Sequence, residues 1–188
     1  MGSRGTVSPV IDTIFNLINR FSDERYGEDV TQLEHVLQCA ELARLDGAPD
    51  SLIAAALLHD IGQFIEEAGE AAETHGIDAR HEISGAAFLA PHFTSEVTEP
   101  VRLHVAAKRY LCAVEPGYTE MLSRASVLSL NLQGGPMSPQ EITQFEGEAA
   151  FESSVRLRRY DDQGKRNGWD VPDLESYRPL LWSLMTHA

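Results

Sequence analysis

The sequence predicts an all-α fold, a single compact bundle of helices, on three observations. Apolar residues recur at helical spacing, capping signals punctuate the chain, and no stretch shows the strict alternation of a half-buried strand. Ser8 before Pro9 makes a cap and first-turn pair, and Ile11, Ile14, Phe15, Ile18 and Phe21 follow on one helical face. Thr31 and Glu34 form a capping box for an apolar helix that ends near Gly47. Asp50 is placed to cap a third helix, which carries the apolar run Ile53 to Leu58. A fourth helix is expected from about Asp78 to Leu89, and a fifth from Glu96 to Leu111 with Pro100 tolerated near its start. Residues 118–131 read as a sixth helix, followed by a turn from Asn131 to Pro136. Ser138, Pro139 and Glu141 repeat the cap, first-turn proline and capping box, so helices are expected at about 139–160 and 173–186. Each apolar stripe must be buried against another helix, which makes a bundle. No internal repeat or low-complexity segment interrupts it, so residues 8–188 read as one domain behind an N-terminal tail, 1–7. Met1 to Thr6 formally matches a myristoylation pattern, but a start or expression remnant is the simpler reading.

Composition narrows the functional classes. With 188 residues and 43% hydrophobic content, the chain can bury a sizeable core. No apolar run is long enough to span a bilayer and no secretory signal opens the chain. Cys39 and Cys112 are too few for a disulfide framework and fall in apolar helical stretches, which suits reduced thiols in a cytoplasmic protein. A net charge of −14 disfavours a nucleic-acid partner, and a small-molecule substrate is expected instead.

The sharpest local signal is LLHDIGQF at residues 57–64. His59 and Asp60 adjoin at the end of a nearly pure apolar helix, where an imidazole and a carboxylate are costly to bury unless paired or metal-bound. His35 shares an apolar stripe with Cys39 and Leu42, His81 follows Arg80 at a helix start, His104 sits among Leu103, Val105 and Ala106, and Asp161 closes a later helix. Taken singly, a histidine on an apolar helix is usually a hydrogen-bonded core residue. The ordered set His35, His59-Asp60, His81, His104, Asp161 is much more specific, and it predicts a metal site.

That set, H…HD…D with helices between and two further histidines inside it, resembles the dinuclear branch of the HD superfamily over nearly the whole chain. The resemblance implies one metal on His35, His59, Asp60 and Asp161, with Asp60 bridging to a second on His81 and His104. A carboxylate has two oxygens and can bridge two ions, while imidazoles fill the outer positions. Nitrogen and carboxylate ligands alone leave iron, manganese and zinc open.

Most HD proteins are phosphohydrolases. Two features are instead similar to the small HD-domain mixed-valent diiron oxygenases that cleave 1-hydroxyphosphonates: the segment Tyr26 to His35, and the set Lys108, Ser126, Arg158. In that family a tyrosine and a glutamate, here Tyr26 and Glu28, cover the second iron until substrate displaces them. Spacing supports an anion site independently. Lys108 lies four residues after His104 and Arg158 three before Asp161, each on the face of the helix that carries its histidine or aspartate. Two cations beside a dimetal centre suit a doubly charged phosphonate, and Ser126 can donate a further hydrogen bond. The resemblance then implies two iron ions poised as Fe(II)/Fe(III), with dioxygen as co-substrate and phosphate and a carboxylate as products. The short Tyr26-to-His35 spacing and Gln63 after HD-x-G are similar to the branch that acts on (R)-1-hydroxy-2-(trimethylamino)ethylphosphonate, giving glycine betaine, rather than to the branch that forms glycine from the primary amine. Asp29 is then the candidate carboxylate for the quaternary ammonium, with Tyr26 or Tyr110 offering an aromatic face. The rivals are a metal-dependent phosphohydrolase, an inositol-oxygenase-like enzyme and a non-catalytic HD regulator.

Overall fold

The computed structural model describes residues 8–25, 29–65 and 79–186. The first helix, α1, spans Pro9–Arg20, its N-terminus held by the Ser8 hydroxyl accepting from the Ile11 N–H. Helix α2 spans Gln32–Leu45 behind the expected Thr31–Glu34 capping box. Helix α3 (Asp50–Leu58) begins one residue earlier than expected: Pro49 takes the cap position and Asp50 the first turn, where its charge faces the positive end of the helix dipole. Helix α4 is short, Ile61–Ile65, so His59 and Asp60 occupy the junction between two helices. Helix α5 runs His81–Leu89.

Helix α6 spans Ser95–Val114, longer at both ends than the periodicity predicts, and passes through a buried Pro100 at the cost of one backbone hydrogen bond. The sixth predicted helix is two: α7 (Tyr118–Met121) and α8 (Arg124–Leu132). Leu122 turns to an extended conformation between them, and the Ser123 hydroxyl re-caps the chain by accepting from the Ser126 N–H. The helix predicted at 139–160 is likewise split, into α9 (Pro139–Glu146) and α10 (Phe151–Gln163), with Gly147 ending the first. The last segment is a 3-10 turn, Leu174–Tyr177, leading into α11 (Arg178–Leu184). Among the described residues the one piece of β pairing is an isolated bridge between Phe93 and Met185.

Helix α3 is the hub. Every residue from Leu52 to Leu58 is buried, and α2, α6, α10 and α11 pack around it. Such a helix has no polar face to show, which explains why its sequence is apolar all round. Removing one of its leucine side chains would cost on the order of 2–5 kcal/mol in transfer and cavity terms. Helix α5 packs on α4 and α6, and α10 packs on both α6 and α2. The polar end of the hub, at His59 and Asp60, therefore points into a space walled by four other helices.

Candidate metal centre and adjoining cation cluster

The six residues singled out by spacing converge at that end. His35 comes from α2, His59 and Asp60 from the α3–α4 junction, His81 from the first position of α5, His104 from α6 and Asp161 from α10. All six are buried, between 1% and 8% exposed. Glycine makes the approach of α5 possible. A Cβ on Gly62 would lie 1.9 Å from the His81 carbonyl oxygen, so only glycine lets the first turn of α5 sit against α4.

The hydrogen bonds fix how the imidazoles are turned. Nδ1 of His35 lies 2.9 Å from the Gly164 carbonyl, Nδ1 of His59 2.9 Å from that of Ala56, and Nδ1 of His104 2.7 Å from that of Val101. A carbonyl only accepts, so each of these Nδ1 atoms carries the proton, and in the neutral ring Nε2 presents a lone pair. The lone pairs of His35 and His59 face one another, and that of His104 faces the His81 ring. His35 Nε2 and His59 Nε2 are 3.3 Å apart, and His81 Nε2 and His104 Nε2 are 3.1 Å apart. Two acceptors at that distance repel unless a cation sits between them.

The carboxylates complete two sets. Oδ2 of Asp60 faces the first pair, 3.8 Å from His35 Nε2 and 3.5 Å from His59 Nε2. Oδ1 of the same residue faces the second pair, 3.4 Å from His81 Nε2 and 3.9 Å from His104 Nε2. Asp161 joins the first set, with Oδ1 3.4 Å from His35 Nε2. A metal with ligands at about 2.0–2.2 Å holds neighbouring donors roughly 3–3.5 Å apart. Most of these separations lie in or near that range, so the donor set fits metal ions. Its neutral nitrogens and carboxylate oxygens suit iron, manganese or zinc equally.

Electrostatics point the same way. Burial opposes ionisation of Asp60, but the imidazoles of His59, His81 and His35 overcome it and hold this carboxyl well below its usual range. Arg158 and His35 do the same for Asp161. Burial, with His81 and His59 nearby, pushes His104 down to about 3, and burial lowers His59 as well, so these rings are neutral donors at pH 7. Burial also pulls on His35 and His81, yet Cys39 and Asp161 around the first, and Asp60 around the second, raise both. Asp60 and Asp161 thus put two buried carboxylates among the four imidazoles, an arrangement that calls for positive charge between them.

Beside this cluster lies a second one, of cations and hydroxyls. Lys108, 3% exposed, donates from Nζ to the Ser129 hydroxyl at 2.7 Å. Arg158 is also 3% exposed; it donates to the Asp161 Oδ2 at 2.6 Å, to the Tyr118 hydroxyl at 3.1 Å, to the Ser126 hydroxyl at 3.4 Å and to Asp162. Tyr118 in turn donates to Asp162 at 2.5 Å. The half-buried Lys165 reaches the hydroxyls of Ser123 and Ser126, each at 3.4 Å.

The HD domain family matches residues 33–130 of this chain. Hydroxymethylphosphonate dioxygenase of Gimesia maris is 46% identical over 179 residues, covering 95% of this chain and 89% of that protein. The glycine-betaine-forming [1-hydroxy-2-(trimethylamino)ethyl]phosphonate dioxygenase of Leisingera caerulea is 43% identical over 173 residues, covering 92% and 88%. The chain belongs to the HD-domain phosphonate dioxygenases. It is therefore an enzyme, an oxidoreductase, and its buried histidine and aspartate cluster is the candidate metal-binding part of this HD-domain dioxygenase.

Several residues of the adjoining cation cluster carry no signal in the sequence. Tyr118, Asp162 and Lys165 surround Arg158 and Ser126, and Ser129 receives Lys108. Lys165 is one helical turn beyond Asp161, the spacing that singled out Lys108 after His104, but it lies past the end of α10 at Gln163. Tyr118 was expected only as the first residue of the sixth helix, with no role of its own. Arg158 differs in part from its expected role as an anion grip: much of its guanidinium is engaged by Asp161 and Asp162, so it also braces a candidate ligand. Tyr26 and Glu28, the expected cover, lie outside the described residues. Asp29 is exposed in the bend before α2, where its backbone carbonyl accepts from Arg25. Tyr110 packs tilted against Phe145 and edge-to-face with Phe151 in a separate apolar cluster, which supports a packing role in place of an ammonium contact. Among the described residues, no helix is long and apolar enough to cross a membrane.

Proposed function

We propose that this dioxygenase uses two irons and dioxygen to cleave the carbon–phosphorus bond of a small 1-hydroxyalkylphosphonate. The observation that carries the reading is Asp60, whose two oxygens each face a different pair of imidazoles, next to the buried cations Lys108 and Arg158. His35, His59, Asp60 and Asp161 would hold one iron, and Asp60, His81 and His104 the other. A mixed-valent iron pair supplies the one-electron chemistry toward dioxygen that no side chain of this protein can. The overall change balances with one dioxygen: R–CH(OH)–PO3H2 + O2 gives R–COOH and H3PO4.

The chain's own residues bind and orient. Lys108, Ser126 and Arg158 are assigned to the phosphonate oxygens, where buried positive charge neutralises a dianion and water is displaced. The backbone carbonyls of Gly164, Ala56 and Val101 hold the Nδ1 protons of three histidines, which keeps Nε2 free to donate to a metal. Tyr26 and Glu28 are assigned to a cover displaced by substrate.

Lys108→Ala tests the anchoring. The variant should keep its iron and lose roughly 10- to 100-fold in phosphonate KM, the size of one charge-assisted contact of about 1.5–3 kcal/mol. An unchanged KM would remove Lys108 from the site. Arg158→Ala is the less clean probe, because it also removes the cation paired with Asp161 and Asp162.

For the substituent, the proposed substrate is (R)-1-hydroxy-2-(trimethylamino)ethylphosphonate, which rests on the Tyr26-to-His35 spacing and Gln63 and is supported by the 43% identity to the relative named for it. The 46% identity to a hydroxymethylphosphonate enzyme supports that smaller substrate as a second reading. Side-by-side kcat/KM by oxygen uptake decides between them. A site shaped for the trimethylammonium should favour it by about 1–3 kcal/mol, or roughly 10- to 200-fold. A preference for hydroxymethylphosphonate would overturn the finer choice while leaving the reaction class intact.

A further inference from the structure

Between the end of α10 and Trp169 the chain has no regular structure to hold it, yet it touches both clusters. Gly164 accepts the Nδ1 proton of His35 at 2.9 Å. Lys165 reaches Ser123 and Ser126. The backbone of Arg166 is engaged by Gln38: the Gln38 Nε2 donates to the Arg166 carbonyl and the Gln38 Oε1 accepts from the Arg166 N–H, both at 2.8 Å. Gln38 is 1% exposed and lies on α2 three residues after His35, so both side chains leave the same helix face toward this segment. The two bonds run in opposite senses, which fixes the amide's orientation and satisfies both backbone groups as a neighbouring strand would. The segment is also pressed close onto α2, since a Cβ on Gly164 would lie 2.5 Å from the Cys39 sulfur. Three successive residues therefore set a ligand candidate's tautomer, an ammonium's reach and an anchor.

We propose that Gln38 is a positioning residue that couples the two clusters: by pinning Arg166 it holds the Gly164 carbonyl on His35 and Lys165 on the serines of the phosphonate pocket, so that Lys165 serves as a third anion-binding cation. This rests on the function proposed above for the pocket, but its metal half does not.

The test uses holoenzyme and two probes besides turnover, the release of bound metal to a chelator and the binding of inorganic phosphate. Gln38→Leu removes both bonds at similar volume. It should speed metal release about tenfold, at the lower end of what loss of an outer-sphere partner does, and weaken phosphate binding by a similar factor. Gln38→Glu keeps the acceptor for the Arg166 N–H and should fall between, and it serves if the leucine variant folds poorly. Lys165→Ala should weaken phosphate binding and leave metal release unchanged. The double variant Gln38→Leu with Lys165→Ala should bind phosphate no more weakly than Lys165→Ala alone, because Gln38 acts on the anion through Lys165. Leu37→Ala, a core truncation turned away from His35, controls for lost stability and should move neither probe at a temperature well below its Tm. Wild-type metal release in both Gln38 variants, or fully additive phosphate losses in the double variant, would overturn the proposal. If wild-type enzyme binds no phosphate, the phosphonate reading fails, while the metal-release comparison still decides the role of Gln38 toward His35.

Discussion

With two irons held as proposed, Asp60→Ala is expected to leave the chain with neither of them and no detectable activity. Among the described residues, Asp60 is the one whose oxygens face both imidazole pairs, so its removal takes a donor from each set at once. Losing even an outer-sphere partner weakens metal binding about 10- to 100-fold, and losing a shared anionic donor should exceed that for both ions. The charge balance shifts as well. Asp161, which faces His35, is already engaged by Arg158 and cannot replace the lost carboxylate between the two imidazole pairs. Asp60→Asn sharpens the comparison, because its amide keeps one oxygen and puts an N–H2 donor where the other oxygen stood. It should hold at most one iron, with no coupled mixed-valent EPR signal. Metal analysis alongside EPR of protein from iron-supplied cells reads both variants. Two irons per chain in Asp60→Ala would dismiss the bridging assignment and, with it, the dinuclear reading.

How much of this was legible in the sequence follows from the physics of each residue. Helices α1 and α2 were readable because their caps and spacing are local, and α3 and α5 because their apolar content is. The breaks at Leu122 and Gly147 were not, since the apolar periodicity continues on either side and only backbone geometry reveals the interruption. The six candidate ligands could be picked out because an imidazole or carboxylate on an apolar face is costly to bury alone. Tyr118, Lys165 and Gln38 could not, because a tyrosine, a loop lysine and a helical glutamine carry no such cost on their own. Their meaning comes from partners 40, 39 and 128 residues away. Arg158 shows a subtler limit. Its helical phase correctly put it beside Asp161, but phase says nothing of how many of its donors are already in use.

Gly62→Ala is expected to separate the two halves of the centre. The Cβ it adds would meet the His81 carbonyl oxygen at 1.9 Å, the His81 carbonyl carbon at 2.8 Å and the Gly85 nitrogen at 2.8 Å, all of them backbone atoms. No side chain can swing away to relieve that contact, so α5 must retreat from α4 as a body. Overpacking of this kind typically costs about 1–3 kcal/mol, and a backbone-on-backbone clash belongs at or above the upper end. The retreat starts at the first residue of α5, which is His81 itself. Its Nε2, now 3.1 Å from His104 and 3.4 Å from Asp60 Oδ1, would move out of register with both. The other set draws on α2, the α3–α4 junction and α10, and none of its donors comes from α5. Gly62→Ala should therefore retain about one iron per chain, melt several degrees lower and lose dioxygenase activity, whereas Asp60→Ala loses both irons. Gly147→Ala is the matched control: the nearest atom to its new Cβ is the Gln144 carbonyl oxygen at 3.4 Å, an ordinary contact, and metal content should not change. Two irons and full activity in Gly62→Ala would mean that α5 has room the structure denies it, and that the close packing of α4 on α5 does not set the position of His81.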